Sequence, residues 1–444
     1  MTDLEARRHA VVIGAGMAGL TAAVALAGHF DRVTVLERDA LPDEPVFRPG
    51  VPQSRHLHSL MGAGQRALDE LVPGFTGRLY DAGAIPLRTP YDHLWFSPAG
   101  WCHRFPPSHT VPSASRELIE AVVRRAAVER HGVAVRHRTE VTGLDGEPGG
   151  AVTGVHAAPR DGGAPERLPA DLVVDASGRR SRVPAWLTER GHGTAETTVV
   201  DSRAGYSSRL YEIPGGSADE WRVISIQPGP GQPTRGGALV PVEGGRRLVS
   251  LYGYLDDHPP TDEDGFLAFA ASLRHPVLHD VLRSAEPAGP IHGFRNMANR
   301  RWHGEDLPAW PDGLLVAGDA LCAVNPVYAQ GMSMAAMTAV LLDRLLAEGG
   351  ADGRTLQKRL AAGNERAWQV ATGADLAHLG TGAADEAAAE TAAYMQRLLE
   401  LALVDADVNR TFFDVMMMLD EPGALFAPEL TARVARGPAR PAAG

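Results

Sequence analysis

Lysine is almost missing from this chain. Lys358 is the sole example among 444 residues, so chemistry that needs a lysine anywhere else is excluded. Cysteine is nearly as scarce. Cys102 and Cys322 form no CxxC pair, which removes a redox dithiol and a disulfide framework. No run of about 18 apolar residues exists, so no membrane span is expected. The start, MTDLEARRHAVV, reaches its first apolar strand too soon for a secretory signal, and a reducing cytoplasm is the expected setting. Positive charge is in deficit: the formal net charge of −11 would repel a polyanion, so nucleic acid is not an expected partner. The length is enough for two or three domains around sizeable cores.

What is present begins with VVIGAGMAGL, Val11 to Leu20. The short apolar run reads as a buried parallel strand, followed by G-x-G-x-x-G at Gly14, Gly16 and Gly19 and a helix from about Met17 to Ala27. Gly14 permits the tight turn, Gly16 lets a pyrophosphate approach the backbone, and Gly19 allows helix and strand to pack closely. The helix start offers free N–H groups and partial positive charge to phosphates. A second strand, Arg32–Leu36, ends in Glu37, about 20 residues on, where an acid bonds a ribose hydroxyl. A second glycine pattern, Gly62 to Ala67, has no strand before it and is read as a helix start or packing feature.

Further along, residues 41–60 are Pro-rich and loop-like, and Ser115–His131 is amphipathic with Leu118, Ile119, Val122, Val123 and Ala126 on one face. Strands are expected at Val133–Val135, Ala151–His156 and Asp171–Asp175. Residues 205–290 change character. Tyr206–Ile213, Trp221–Gln227, Ala238–Val242 and Arg247–Tyr254 read as strands, the last two forming a hairpin around Glu243-Gly244-Gly245-Arg246. One helical stretch is expected over Asp262–Ala285. Residues 355–419 read as helical, with Met416–Met418 filling core. RGPARPAAG reads as a tail.

About 300 residues after the first glycines comes GLLVAGDALCAVNPVYAQGMSMAAM, Gly313 to Met337. Leu314–Ala317 is a buried strand ended by Gly318-Asp319, Asn325-Pro326 makes a turn, and Gly331 starts a helix running to Leu346. An aspartate there can bond a ribityl hydroxyl, and the helix dipole would face the flavin edge that carries negative charge when reduced. The two segments together indicate a flavoprotein.

With Asp175-Ala176-Ser177-Gly178 and the arginines Arg179 and Arg182 at the middle motif, the chain resembles FAD-dependent monooxygenases of the aromatic-hydroxylase superfamily over most of residues 9–345. VPQSRHLHSL, GWCHRFP and SASREL look most similar to bacterial flavin epoxidases of polyketide polyether pathways. The resemblance implies an α/β, Rossmann-like FAD-binding domain in three pieces, residues 1–90, 115–204 and 291–350. An antiparallel-sheet substrate domain, 91–114 and 205–290, is inserted, and 351–444 form a C-terminal helical region. It implies non-covalent FAD, with Gly14, Ala15, Gly16, Met17 and Gly19 at the pyrophosphate and Glu37 and Arg38 at the ribose and its phosphate. Arg55 would reach the flavin or ribityl region and Arg116 the pyrophosphate or ribityl chain, while the Val141 backbone would meet adenine. Asp175, of the middle motif, would be a further cofactor-binding residue. Asp319 would bind the ribityl chain, Gly318 and Pro326 would be further cofactor-binding residues, and Gly331 and Met332 would offer N–H groups to the isoalloxazine. Two departures, Asp175-Ala176 for the usual Asp-Gly and Leu321-Cys322 for the usual Ala-His, bear on NAD(P)H contact more than on FAD.

The implied chemistry is oxygen transfer through a flavin hydroperoxide to a small apolar, polyketide-like metabolite, by epoxidation or hydroxylation. NADPH or NADH would supply electrons directly or through a flavin reductase. No catalytic side chain is assigned, because the cofactor carries the hard step. Trp101, Phe105, Tyr206, Trp221, Tyr252 and Tyr254 are the candidates to line a substrate pocket. Flavin halogenases share the Gly-Asp pattern, but their W-x-W-x-I-P motif and catalytic lysine have no counterpart. Two alternatives stay open: a non-redox, FAD-binding cyclase of linear polyenes, and a reductase of isoprenoid double bonds. No metal site is expected. His56 and His58 lack a third ligand, and His275 and His279, spaced i,i+4, read as helix-surface residues. Cys322 reads as a packed residue.

Overall fold

The computed structural model describes residues 8–213, 221–229, 234–380 and 386–437. Its centre is a sheet of five parallel strands in the order Leu314–Val316, Leu172–Asp175, His9–Ile13, Arg32–Leu36, Ala134–Arg136. Val12 is paired with Val174 on one side and Val35 on the other. Every residue of His9–Ile13 is buried because both sheet faces are covered. Val12 joins one apolar cluster, beneath helices Met17–Leu26, Arg116–His131 and Gly331–Glu348, while Val11 joins the cluster on the opposite face. That two-sided burial is why the strands read as continuous apolar runs. The glycine pattern at Gly62 proves to be a packing feature. It starts helix Gly62–Leu71, and a Cβ on Gly64 would lie 2.4 Å from Ser333 Oγ of the Gly331 helix.

The second large sheet has eight strands. Gly205–Glu212, Arg246–Gly253, Arg235–Pro241 and Val223–Ile226 are antiparallel neighbours, and Val223–Ile226 pairs in parallel with His93–Ser97. The expected hairpin is present, with Gly244 and Gly245 at φ of +72° and +74°, a conformation that glycine adopts without a Cβ clash. Alternation decides the faces. Ile224, Leu239, Val249 and Leu251 pack under two helices, whereas Tyr206, Ser208, Ser250 and Tyr252 face the segments around Arg55 and Val327.

Some expectations are corrected. Asp262–Ala285 is two helices, Glu263–Ala271 and Val277–Leu282. Pro276 cannot continue a helix from upstream, and Arg274 turns to the sheet, donating to the Ser97 carbonyl at 3.0 Å. His275 therefore sits in the break, 4.8 Å from the Trp101 ring, not on a helix with His279. The strand expected at Ala151 begins at Gly154, because the Val152 N–H goes to the Asp312 carbonyl. It joins Thr139–Asp145 and Glu166–Pro169 in a separate three-stranded sheet. The C-terminal region is helical, and Pro428–Arg436 adds a helix the pattern did not suggest. Met417 and Met418 fill core, but Met416 is 41% exposed. Residues 438–444 of the tail lie outside the described residues. No described helix is long and apolar enough to cross a membrane.

Candidate functional site

The site grows from the C-terminal edge of the parallel sheet. Gly14 takes φ +98° and its N–H donates to the Leu36 carbonyl at 2.8 Å. A Cβ there would meet the Ala176 carbonyl oxygen at 2.7 Å, and one on Gly19 would meet the Gly14 oxygen at 1.8 Å. Both positions are closed by backbone. Gly16 is the opposite case: it caps helix Met17–Leu26 in extended conformation, and a Cβ would meet nothing within 4 Å. The open space therefore lies at the helix N-terminus, where backbone N–H groups favour an anion. Met17 turns inward, 4% exposed.

Beside this loop lies a buried charge network that the sequence motifs did not disclose. Glu37 Oε2 accepts from the Ala15 N–H at 2.9 Å, and Oε1 from the Asp39 N–H at 3.0 Å. Arg48 donates to Glu120 Oε1 at 2.8 Å, to the Ala15 carbonyl at 3.0 Å and to Glu37 Oε2 at 3.3 Å. Burial opposes the Arg48 charge, but Glu120 and Glu37 carry its pKa above the ordinary value. Arg116, first residue of helix Arg116–His131, donates from Nη2 to Glu120 Oε2 at 2.7 Å. Burial lowers its pKa, with Glu120 opposing. Arg116 Nη1 is sealed from solvent with no partner among the described residues. The i,i+4 spacing of Arg116 and Glu120 was a readable signal; Arg48, alone in a Pro-rich loop, carried none. Arg38 lies at the surface, Nε 3.7 Å from Asp39 Oδ2. Val141 is buried in strand Thr139–Asp145, at a register irregularity, and that strand is tied to Glu37 through the Thr139 N–H.

Across the sheet, Gly318 takes φ +61°, and a Cβ would come 2.4 Å from the Ala18 methyl, so the two glycine segments touch. The Asp319 side chain keeps 43% of its surface, with Arg179 Nε at 3.9 Å. Dense surrounding protein still pushes its pKa up, against Arg179 and Arg116, as expected for a carboxylate on the floor of a recess. Asp175 behaves differently from the cofactor contact expected of it. It is fully buried, and its oxygens are taken by the Ser177 N–H at 3.0 Å and the Ser181 hydroxyl at 2.5 Å, so it braces the turn instead of reaching into the recess. Pro326 opens a single 3-10 turn capped by Asn325. Gly331, with nothing near its Cβ position, starts helix Gly331–Glu348, and the Met332 side chain is in the core. The turn is held from the C-terminal helices by wholly buried Asp375, which accepts from Tyr328 Oη and Asn299 Nδ2 at 2.6 Å each and from Asn325 Nδ2 at 3.0 Å. This clamp was also missed, since an aspartate in an Ala-rich helix does not announce burial.

Arg55 lies over the Phe47 ring at 3.7 Å and donates to the His292 ring at 2.8 Å. The six aromatic pocket candidates do not come together. Tyr206, Tyr252 and Tyr254 share one apolar cluster with Phe294, Met297 and Val327. Trp221 packs on the opposite face of the sheet, Trp101 is 39% exposed at its edge, and Phe105, in a loop, meets the His103 ring edge-on at 5.1 Å. Strand alternation and the edge position of Gly100–Trp101 separate them. Burial pushes the Cys322 thiol up to about 12, consistent with a packed residue.

These features fit FAD. The unfilled space at Gly16 suits a pyrophosphate, the orphaned Arg116 Nη1 suits an anionic or hydroxyl oxygen, and Glu37 Oε1 retains acceptor capacity for a ribose hydroxyl. Comparison with known proteins agrees. The family described as FAD binding domain matches residues 7–374. Protein Rv3254 of Mycobacterium tuberculosis is 34% identical over 347 residues, 76% of this chain and 73% of its own. Kynurenine 3-monooxygenase of Salinispora arenicola is 30% identical over 363 residues, 77% of this chain and 72% of its own. The solved structure of the flavin-dependent brominase Bmp2 superposes with a TM-score of 0.69, covering 96% of this chain and 98% of that one; at 16% identity this speaks for the fold alone.

Proposed function

Since the chain belongs to the FAD binding domain family of FAD-dependent monooxygenases, we propose that it inserts one atom of O2 into a small apolar metabolite of polyketide-like character, by epoxidation or hydroxylation. FAD is the cofactor; NADPH or NADH supplies the electrons, directly or through a separate reductase. Two electrons and two protons accompany each O2, so the second oxygen leaves as water.

The observation that carries this reading is the sheet face bearing Tyr206, Tyr252 and Phe294, which closes on the segments around Arg55 and Val327 beside the cofactor recess. Bound flavin supplies the two-electron redox chemistry and the activation of oxygen. The chain's own residues bind and orient. The N–H groups at the start of helix Met17–Leu26 would hold the pyrophosphate, with Arg116 Nη1 on a phosphate or ribityl oxygen. Glu37 would take a ribose hydroxyl with Arg38 nearby, Asp319 the ribityl chain, and the Val141 backbone adenine. The N–H groups of Gly331 and Met332 would meet the flavin ring at a helix N-terminus, where developing negative charge is favoured. The aromatic face would exclude water from the reacting centre.

The test is turnover under isotopically labelled oxygen gas with NADPH, with and without an added flavin reductase. One labelled atom per product is expected. Conversion of a linear polyene to an isomer of unchanged mass, independent of oxygen and NADPH, would establish the cyclase alternative instead.

A further inference from the structure

We propose that His56 is a fixed hydrogen-bond donor to an oxygen atom of the substrate, so that the enzyme selects a flat, conjugated molecule carrying a carbonyl or similar acceptor. The proposal takes from the preceding section only the placement of substrate beside this sheet face.

A chain of hydrogen bonds runs from a backbone amide to the His56 ring. The Leu57 N–H can only donate, and it donates to Ser250 Oγ at 3.0 Å. Ser250 Oγ is 2.6 Å from Ser208 Oγ, and Ser208 Oγ is 2.8 Å from His56 Nδ1. Ser208 is fully buried and Ser250 is 3% exposed, so a hydroxyl hydrogen left without an acceptor would be costly. One arrangement satisfies all three donors: the Leu57 amide donates to Ser250, Ser250 to Ser208, and Ser208 to Nδ1. The opposite direction strands the Ser250 hydrogen, since Ser250 Oγ has no other partner among the described residues. His56 Nδ1 is therefore the acceptor, and the ring proton sits on Nε2.

Nε2–H is the group left over. His56 is 2% exposed, its Nε2 has no partner among the described residues, and it is not among the atoms sealed from solvent. Burial, reinforced by His58, His292, Arg295 and Arg55, pushes its pKa down to about 3, so it is a neutral donor with no charge of its own to be matched. Its neighbours are the rings of Tyr206 and Phe294, with centroids at 5.5 and 5.6 Å. A flat apolar skeleton suits those rings. Arg55 and Arg295 make the surroundings positive, which disfavours a cationic substrate and strengthens binding of an electron-rich oxygen. His58 differs in kind: its Nδ1 is 2.9 Å from the His56 carbonyl and must donate there, leaving an acceptor at its own Nε2.

The test uses FAD-loaded protein and two probes of matched shape, 2-acetylnaphthalene and 2-isopropenylnaphthalene, which exchange C=O for C=CH2. The ketone is expected to bind about 3–10-fold more tightly, the scale of one neutral hydrogen bond. In His56→Phe the ratio falls to about one. In Ser208→Ala, which frees the tautomer without removing the ring, it falls toward one. Nitrogen-15 spectra of histidine-labelled protein, assigned by difference against His56→Phe, should show an Nε2–H tautomer for His56. If His56→Phe fails to load FAD, the Ser208→Ala ratio and the wild-type spectrum decide. An Nδ1–H tautomer, a ketone preference that survives both substitutions, or binding of neither probe would overturn the proposal. The oxygen-label experiment reads turnover and this one reads binding. Label incorporation without ketone preference rejects His56 alone, and ketone preference without label rejects the oxygenase reading alone.

Discussion

Replacing Arg48 with methionine should both destabilise the fold and loosen the cofactor. Arg48 is 5% exposed and holds Glu37, Glu120 and the Ala15 carbonyl from one guanidinium. Methionine fills similar length but leaves two buried carboxylates short of a cation. Glu120 keeps Arg116 at 2.7 Å, and Glu37 keeps the Ala15 and Asp39 N–H groups. Breaking one partner out of a buried ion pair costs about 3–5 kcal/mol. With an unfolding entropy of about 2.1 cal/mol/K per residue, a chain of this length loses roughly 3–5 °C in Tm. FAD affinity should fall about 10–150-fold, the worth of one charge-assisted bond in orienting Glu37 and the glycine loop. Arg48→Lys should recover less than half of either loss, because one ammonium cannot span three acceptors. Circular dichroism melts of apoprotein and fluorescence titration with FAD measure the two effects. The double variant Arg48→Met/Glu120→Gln should lose less than the sum of the single losses. A Tm within about 1 °C of the parent, with unchanged FAD affinity, would refute the network's role.

Gly16→Val and Gly19→Ala should fail in opposite ways. The first places its side chain in open space, so the protein should fold but purify colourless, and full FAD occupancy would remove the pyrophosphate from that position. The second drives a methyl to 1.8 Å from the Gly14 oxygen and should lower Tm or abolish soluble protein; a parent-like melt would contradict the close helix–strand contact. Acid should weaken the fold above the carboxylate range. His56 at about 3 and His58 and His93 at about 4 lie below the 6.5 of an unfolded histidine, so the unfolded chain binds more protons. The stabilisation from keeping these rings neutral is complete above about pH 6.5 and is lost as pH falls toward 4. Tm should drop across that window, with these three rings alone adding about three protons to the uptake on unfolding, and with about one fewer in His56→Phe. A flat Tm from pH 6.5 to 4.5 would show that these rings are not held neutral.

The sequence by itself determined the features whose chemistry lies in consecutive residues. The apolar runs Val11–Ile13 and Leu314–Val316 declared doubly covered parallel strands, and Gly14, Gly16, Gly19 and Glu37 declared a dinucleotide turn. Gly244-Gly245 declared a hairpin, because only a left-handed turn requires that pair. Where chain order was the only guide, it misled. Pro276 divided one expected helix into two, and six aromatics expected in one pocket were dealt to a sheet face, its reverse, its edge and a loop. Tertiary structure alone decided which distant groups meet. His56 and Ser208 are 152 positions apart, Leu57 and Ser250 193, and Asn325 and Asp375 50. Each of those residues is unremarkable in its local context, where serine, asparagine and aspartate read as solvated. Their roles exist only once folding removes water from around them and leaves each polar hydrogen a single acceptor to find.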